Sequence, residues 1–118
     1  MKIDGFLYNH FFSHPCFRYP EILVEVMGSD EGACVLYFLI LESLEKNEFA
    51  VGDDTIKHHA LISDHVMRKI KKKLKNFPFL NIQLKGRQAI THYKLDKQAF
   101  IVYLQKEFYN GRNNKTSG

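Results

Sequence analysis

The chain has 118 residues, a length typical of one domain. Its composition, 45% hydrophobic and 25% charged, is that of a globular protein and excludes a chain disordered throughout. Residues 1–64 carry four Lys/Arg against eleven Asp/Glu, a net charge of −7, whereas residues 65–118 carry thirteen against two, a net charge of +11. A basic segment of this density is typical of a protein that binds a polyanion, most often nucleic acid.

Cysteine usage and hydropathy indicate a reducing compartment. The two cysteines, Cys16 and Cys34, are too few for a disulfide framework. The longest apolar run, residues 33–41, is far shorter than the roughly 20 residues of a membrane-spanning helix. The opening residues do not form a signal-peptide pattern. We therefore expect a cytoplasmic protein without membrane attachment.

The first half of the chain is predicted to be helical after an aromatic-rich opening. Residues 1–19 lack a clear period and are expected to form an extension packed on the domain. A short helix is predicted over residues 20–27, because proline opens it and glycine ends it. An apolar helix over residues 31–46 follows a Ser-Asp pair that offers its N-cap, and it should be the central buried helix. Cys34 lies inside it and is expected to be a buried structural thiol.

The second half of the chain alternates short elements with clear end signals. Its hairpin is indicated by two segments of alternating apolar and polar residues that flank a turn glycine. The predicted elements are an extended piece at 49–51, a short helix at 55–60, a turn at 61–63, a longer helix at about 64–76, strands at 79–84 and 89–95, a last helix at 97–109 and a flexible tail at 111–118.

The order helix, short strand, helix, turn, helix and hairpin matches a winged helix-turn-helix. We therefore predict a mainly α-helical α+β fold with a small β-hairpin, in which residues 20–110 form a winged helix domain. The longer helix is its predicted recognition helix. The apolar stripe expected to hold that helix on the core consists of Val66, Ile70, Leu74 and Phe77, with Met67 at its edge.

The opposite side of the recognition helix is strongly basic. Like charges on a helix repel one another, and the segment 65–76 contains no acid that would compensate them. Lys71 and Lys73 should point nearer the core than Arg68 and Lys72. The predicted contacts to double-stranded DNA, on the helix and on the hairpin or wing, are His65, Arg68, Lys69, Lys72, Lys75, Lys85, Arg87 and Lys94.

Other chemistry finds little support in the sequence. His10, His14 and Cys16 could supply three metal ligands, but no fourth ligand is near and the proline between them breaks helical geometry. His58 and His59 are adjacent on a short helix, so one should be exposed and the other partly packed. No phosphate-binding loop, nucleophile elbow or HExxH motif is present. We expect neither an enzyme nor a cofactor.

Several short motifs resemble the N-terminal winged-helix domains of phage and prophage replication-initiation proteins of the replisome-organiser type. The resemblance implies a module that docks origin or operator DNA, in replication initiation or transcriptional regulation, and it carries no catalytic signature. Longer members have a second domain that recruits helicase-loading machinery. The matching residues are Phe11-Phe12, Pro20-Glu21-Ile22-Leu23, Gly28-Ser29-Asp30-Glu31-Gly32 and the apolar segment from Leu36 to Leu44.

Two alternatives concern the partner. The basic face could dock an acidic protein instead of DNA. The last helix, residues 97–109, could also form a homodimer. A dimer would not distinguish DNA binding from protein docking, because winged helices often bind DNA as dimers. The apolar residues of that helix are Phe100, Ile101, Tyr103, Leu104 and Phe108.

Overall fold

The computed structural model describes Gly5, residues 21–87 and residues 90–110, with side chains described up to residue 108. The predicted extension over residues 1–19, apart from Gly5, and the predicted tail over residues 111–118 lie outside the described part. The described elements follow one another as α1 (Ile22–Met27), α2 (Asp30–Ser43), β1 (Glu48–Ala50), α3 (Asp53–Ala60), α4 (Asp64–Leu74), β2 (Leu80–Lys85), β3 (Ile90–Leu95), α5 (Lys97–Leu104) and a π-helical turn (Gln105–Asn110).

Polar caps and one glycine set the helix boundaries. The Ser29 hydroxyl accepts a hydrogen bond from the N–H three residues later, at 3.0 Å, and starts α2. Ser63 starts α4 in the same way, and the Asp96 carboxylate starts α5. α1 ends at Gly28, whose φ of 79° costs a glycine no steric strain. The predicted start of α2 at Ser29 and end of α1 at Gly28 are therefore confirmed, whereas α3 has Gly52 at its N-cap position and no side-chain cap, so a cap by Asp53 or Asp54 is wrong.

Several predicted element ends are wrong by one to five residues. α2 ends at Ser43 rather than residue 46, and α4 ends at Leu74 rather than residue 76. The N–H groups of Leu44 and Glu45 after α2, and those of Asn76 and Phe77 after α4, bond to carbonyls three residues back, so the last turn tightens and closes the helix. Regular α5 ends at Leu104 and continues as the π-helical turn, and β1 covers 48–50 instead of 49–51.

The three strands form one antiparallel sheet in the order β1-β3-β2. Tyr93 on the central strand lies between Phe49 of β1 and Ile82 of β2. Because side chains alternate between the two faces of a strand, these residues share the inner face with Leu80 and Leu95. Tyr93 is fully buried, and the Phe49 and Tyr93 rings stack with centroids 5.7 Å apart.

The core is organised around α2, which contacts α1, α3, α4, β1 and β3, as expected for a central buried helix. Leu36, Leu39 and Ile40 are completely buried on it. Cys34, by contrast, is half-buried, so the prediction of a fully buried thiol is wrong; burial raises the pKa of that thiol. A second part of the core is aromatic, where Phe79 lies 4.9 Å from Phe77 and from Phe100 between ring centroids.

The predicted α+β class is confirmed: the described residues are mainly helical and carry one small antiparallel sheet. The narrower assignment to the winged helix stays a prediction.

Candidate nucleic-acid interface

The turn between α3 and α4 joins a helix that begins with two acidic residues to a helix that is strongly basic. Leu61 closes α3 in the left-handed conformation, with φ 57° and ψ 48°, and its side chain is 87% exposed. The Lys57 ammonium bridges this turn, because it pairs with Asp54 of its own helix at 2.9 Å and with Asp64 at the start of α4. The two carboxylates raise the pKa of Lys57, and Lys57 lowers the pKa of Asp64. The turn is therefore held electrostatically.

The inner side of α4 is apolar and fixes the rotation of the helix. Met67, Ile70 and Leu74 are buried against the core, whereas Val66 is half-buried. The prediction placed Val66 on the apolar stripe and Met67 at its edge, whereas the structure buries Met67 and leaves Val66 at the edge. Phe77, just after the helix, is buried as expected.

The outer side of α4 presents a basic ridge, defined as His65, Arg68, Lys69, Lys72 and Lys75. All five side chains are exposed. Within the described part of the chain, Arg68, Lys69, Lys72 and Lys75 make no ion pair. The helix thus carries the five predicted residues along one line, as their spacing requires. The positive charge of Arg68 acts on the Asp64 carboxylate at the start of α4 and helps to lower its pKa.

Lys71 faces away from this ridge and anchors one flank of α4. Its ammonium lies 3.0 and 3.2 Å from the two carboxylate oxygens of Asp53 on α3. It also donates to the Thr91 hydroxyl of β3, at 3.1 Å. The Lys71 side chain is 18% exposed. The expectation that no acid compensates the lysine run is therefore wrong for Lys71, whose partner precedes it in the chain by 18 residues.

Lys73 anchors the opposite flank. Its ammonium donates to the backbone carbonyl of Met27, the last residue of α1, at 2.9 Å. A cation at this place also interacts favourably with the negative end of the α1 dipole. Lys71 and Lys73 therefore connect α4 to α1, α3 and β3. The prediction that these two lysines point nearer the core is confirmed for Lys71, whereas Lys73 is exposed.

The hairpin carries the remaining predicted contacts. Arg87 lies exposed in the turn after Gly86, and Lys94 lies exposed on β3. Lys85, at the end of β2, pairs with Glu48 of β1 at 2.7 Å. Lys85 and Lys94 therefore share the outer face of the sheet with an acid that the sequence interpretation did not include. No local sequence signal indicates this pair, because 37 residues separate its members.

The remaining polar candidates are two adjacent histidines and a possible set of metal ligands. His59 packs its ring on Phe38, with centroids 4.8 Å apart, although His58 and His59 are both exposed. The predicted split into one exposed and one packed histidine is therefore partly wrong. Within the described ranges, no three His, Cys, Asp or Glu side chains are grouped to hold a metal ion. The candidate ligands His10, His14 and Cys16 lie outside those ranges.

The last helix contributes most of its apolar residues to the protein's own core. Of the five apolar residues named for a homodimer through residues 97–109, three are buried inside the protein's own core, namely Phe100, Ile101 and Leu104. Tyr103 and Phe108 are half-buried and contact each other. Among the described helices, none combines the length and the apolar character needed to cross a bilayer.

Comparison of the chain with models of protein families, with curated proteins and with solved structures finds no match in any of the three. The resemblance to replication-initiation domains therefore stays a prediction that rests on the sequence motifs alone.

Proposed function

We propose that this protein binds duplex DNA through the basic ridge of α4 and through its β-hairpin. The observation that carries the proposal is the ridge itself, in which four cations that make no ion pair among the described residues line one side of a helix that is anchored on both flanks. An α-helix of this kind fits the major groove, where Arg and Lys reach guanine O6 and N7. The flank contacts fix the direction of the ridge, which reduces the ordering that binding would require.

The arrangement of elements supports a winged helix as the framework. The short strand β1 precedes α3, and a three-residue turn joins α3 to α4. A hairpin of β2 and β3 follows, and β3 also pairs with β1. In such a domain the second helix of the pair is the recognition helix and the hairpin is the wing. This proposal places Arg87 near the duplex as the exposed cation of the wing turn.

The residues of the interface divide by role. Arg68 and His65 are the side chains suited to base edges, whereas Lys69, Lys72, Lys75 and Lys94 supply phosphate contacts that position the protein. A process in the cytoplasm of phage- or plasmid-bearing bacteria, either replication initiation or transcriptional regulation, follows from the sequence resemblance.

A protein partner is the second candidate, and one observation favours it. Asp54 and Asp64 are largely exposed at the end of α4 that would approach a duplex first. Carboxylates there repel the continuous charge of a phosphate backbone, whereas a protein partner that is acidic opposite the ridge can place neutral or basic groups opposite Asp54 and Asp64.

The test is a titration of a fluorescent duplex with the full chain at several salt concentrations. About six phosphate contacts predict that log affinity falls with log salt with a slope of about −5. Binding with that slope supports the DNA interface. Absence of binding at low salt, together with binding to poly-glutamate, would instead support the acidic protein partner.

A further inference from the structure

The outer face of the sheet gathers four ionisable side chains in a small area. Glu48 on β1 lies opposite Lys94 on β3, and His92 lies two residues before Lys94 on the same face. His92 in turn lies opposite Gln83 of β2, two residues before Lys85. Alternation along each strand therefore places Glu48, Lys85, His92 and Lys94 on one side. We call these four residues the outer-face cluster.

Glu48 is the acid of this cluster. Its carboxylate accepts a hydrogen bond from Lys85 at 2.7 Å, and both side chains are 46% exposed. Lys85, Lys94 and His92 all act to lower the pKa of Glu48, with Lys85 the strongest of them. The carboxylate thus lies in a field set by basic groups from two other strands.

We propose that the outer-face cluster is a subsite for a backbone phosphate of nucleic acid, in which the Glu48 carboxylate holds the place of a phosphate oxygen. The inference rests on the proposed function. A carboxylate oxygen and a phosphate oxygen accept the same ammonium hydrogen bond, so an incoming phosphate must compete with Glu48 for Lys85. Both partners are half-exposed, which allows the exchange without unfolding.

The subsite makes Glu48 an internal competitor of the ligand. While Lys85 stays paired with Glu48, it neutralises no phosphate and therefore displaces no counterion from a bound polyanion. Removal of the Glu48 charge frees Lys85 for a phosphate. The variant should therefore bind the duplex more tightly than the wild type and should depend more steeply on salt.

The experiment compares Glu48→Gln with Glu45→Gln in the duplex titration. Glu45 is exposed in the turn after α2 and, among the described residues, makes no ion pair, so its variant changes the net charge by the same amount. We expect Glu48→Gln to bind about two- to fivefold more tightly at low salt, the range expected when one exposed ion pair no longer competes. Its salt slope should be steeper by about one. Glu45→Gln should match the wild type.

Two results would overturn the subsite. One is a Glu48→Gln variant that binds like the wild type, and the other is an equal gain in both variants, which would reflect net charge alone. A further variant, Glu48→Gln with Lys85→Gln, should lose the gain, because the freed ammonium is absent.

A second ligand separates this proposal from the proposed function. The same variants are titrated with linear inorganic polyphosphate, which offers phosphates without bases or a groove. If the duplex is not bound by any form of the protein, the proposed function fails. A gain of Glu48→Gln over Glu45→Gln with polyphosphate would still support the subsite, and equal binding would overturn it.

Discussion

The ammonium of Lys71 lies within hydrogen-bond distance of both carboxylate oxygens of Asp53, so a lysine in the most basic segment of the chain is neutralised by an acid from the preceding helix. The next residue, Lys72, is exposed on the ridge and makes no ion pair among the described residues. Two adjacent lysines thus have different surroundings. Variants of these two lysines can therefore separate the contacts that hold α4 in the fold from the contacts that bind DNA.

Reversal of the charge at Lys72 should weaken duplex binding. Lys72→Glu removes one phosphate contact and adds repulsion, so we expect about tenfold lower affinity near 0.1 M salt and a salt slope that is less steep by about one. The measurement is the duplex titration. Lys106→Glu is the matched control, because Lys106 is exposed in the π-helical turn outside the ridge and the hairpin. An equal loss in both variants would contradict the assignment of α4 as the DNA-contacting helix.

Replacement of Lys71 should affect stability more than charge-dependent binding. Lys71→Met leaves Asp53 and the buried Thr91 hydroxyl without this partner, and it should lower the free energy of unfolding by about 1–2 kcal/mol. Chemical denaturation measures that loss. The salt slope of duplex binding, measured well below the melting temperature, should stay that of the wild type. A slope less steep by one contact would show that Lys71 itself binds phosphate.

Tyr93 offers a prediction about alkaline pH. Burial, and next the negative charge of Asp53, raise the pKa of its phenol. The folded protein therefore keeps this proton above pH values near 10, where the unfolded chain loses it. Because the unfolded state then binds fewer protons, the free energy of unfolding should fall as the pH rises above about 10. Tyr93→Phe should show a shallower fall in denaturant titrations between neutral and alkaline pH.

The same variant tests a buried polar atom. Among the described residues, the Tyr93 hydroxyl has no hydrogen-bond partner although the residue is fully buried. Its removal should raise the free energy of unfolding at pH 7 by about 1 kcal/mol, since an unsatisfied buried hydroxyl costs about that much. A loss of stability at neutral pH would mean that the hydroxyl is bonded.

Leu61 is predicted to store backbone strain. Its left-handed conformation is unfavourable for a residue with a Cβ atom, and its exposed side chain gains little packing. Leu61→Gly should therefore raise the free energy of unfolding by about 0.5–1 kcal/mol. Leu61→Ala keeps the strained backbone and should stay within about 0.5 kcal/mol of the wild type. Equal effects of the two variants in thermal and chemical denaturation would argue against strain.

Hydrophobic periodicity and helix-end signals in the sequence were sufficient to predict the secondary-structure elements and the residues of the basic ridge. The capping side chains and the turn glycines are local signals, so α2, α4 and the hairpin could be located to within a few residues. The five exposed residues of the ridge follow from helical spacing alone. The α+β class follows from the order of these elements.

The sequence could not predict which basic residues pair with an acid and which remain exposed without an ion pair among the described residues. Asp53 reaches Lys71 because α3 packs beside α4, and Glu48 reaches Lys85 because their strands belong to one sheet, and no local pattern connects residues 18 or 37 positions apart. The exchange of Val66 and Met67 has a different origin. A small rotation of α4 places Met67 at the centre of the contact, and helical period does not resolve a rotation of that size. The tightened ends of α2 and α4 likewise depend on packing.

The hydrogen bond from Lys73 to the Met27 carbonyl has a mechanical consequence. It joins the C-terminus of α1, in the acidic half of the chain, to the helix that bears the basic ridge. Gly28 keeps this approach open, because a Cβ atom there would come within 3.3 Å of the same ammonium. A residue with a side chain at position 28 would therefore have to move the Lys73 ammonium, which would loosen the contact between the two helices.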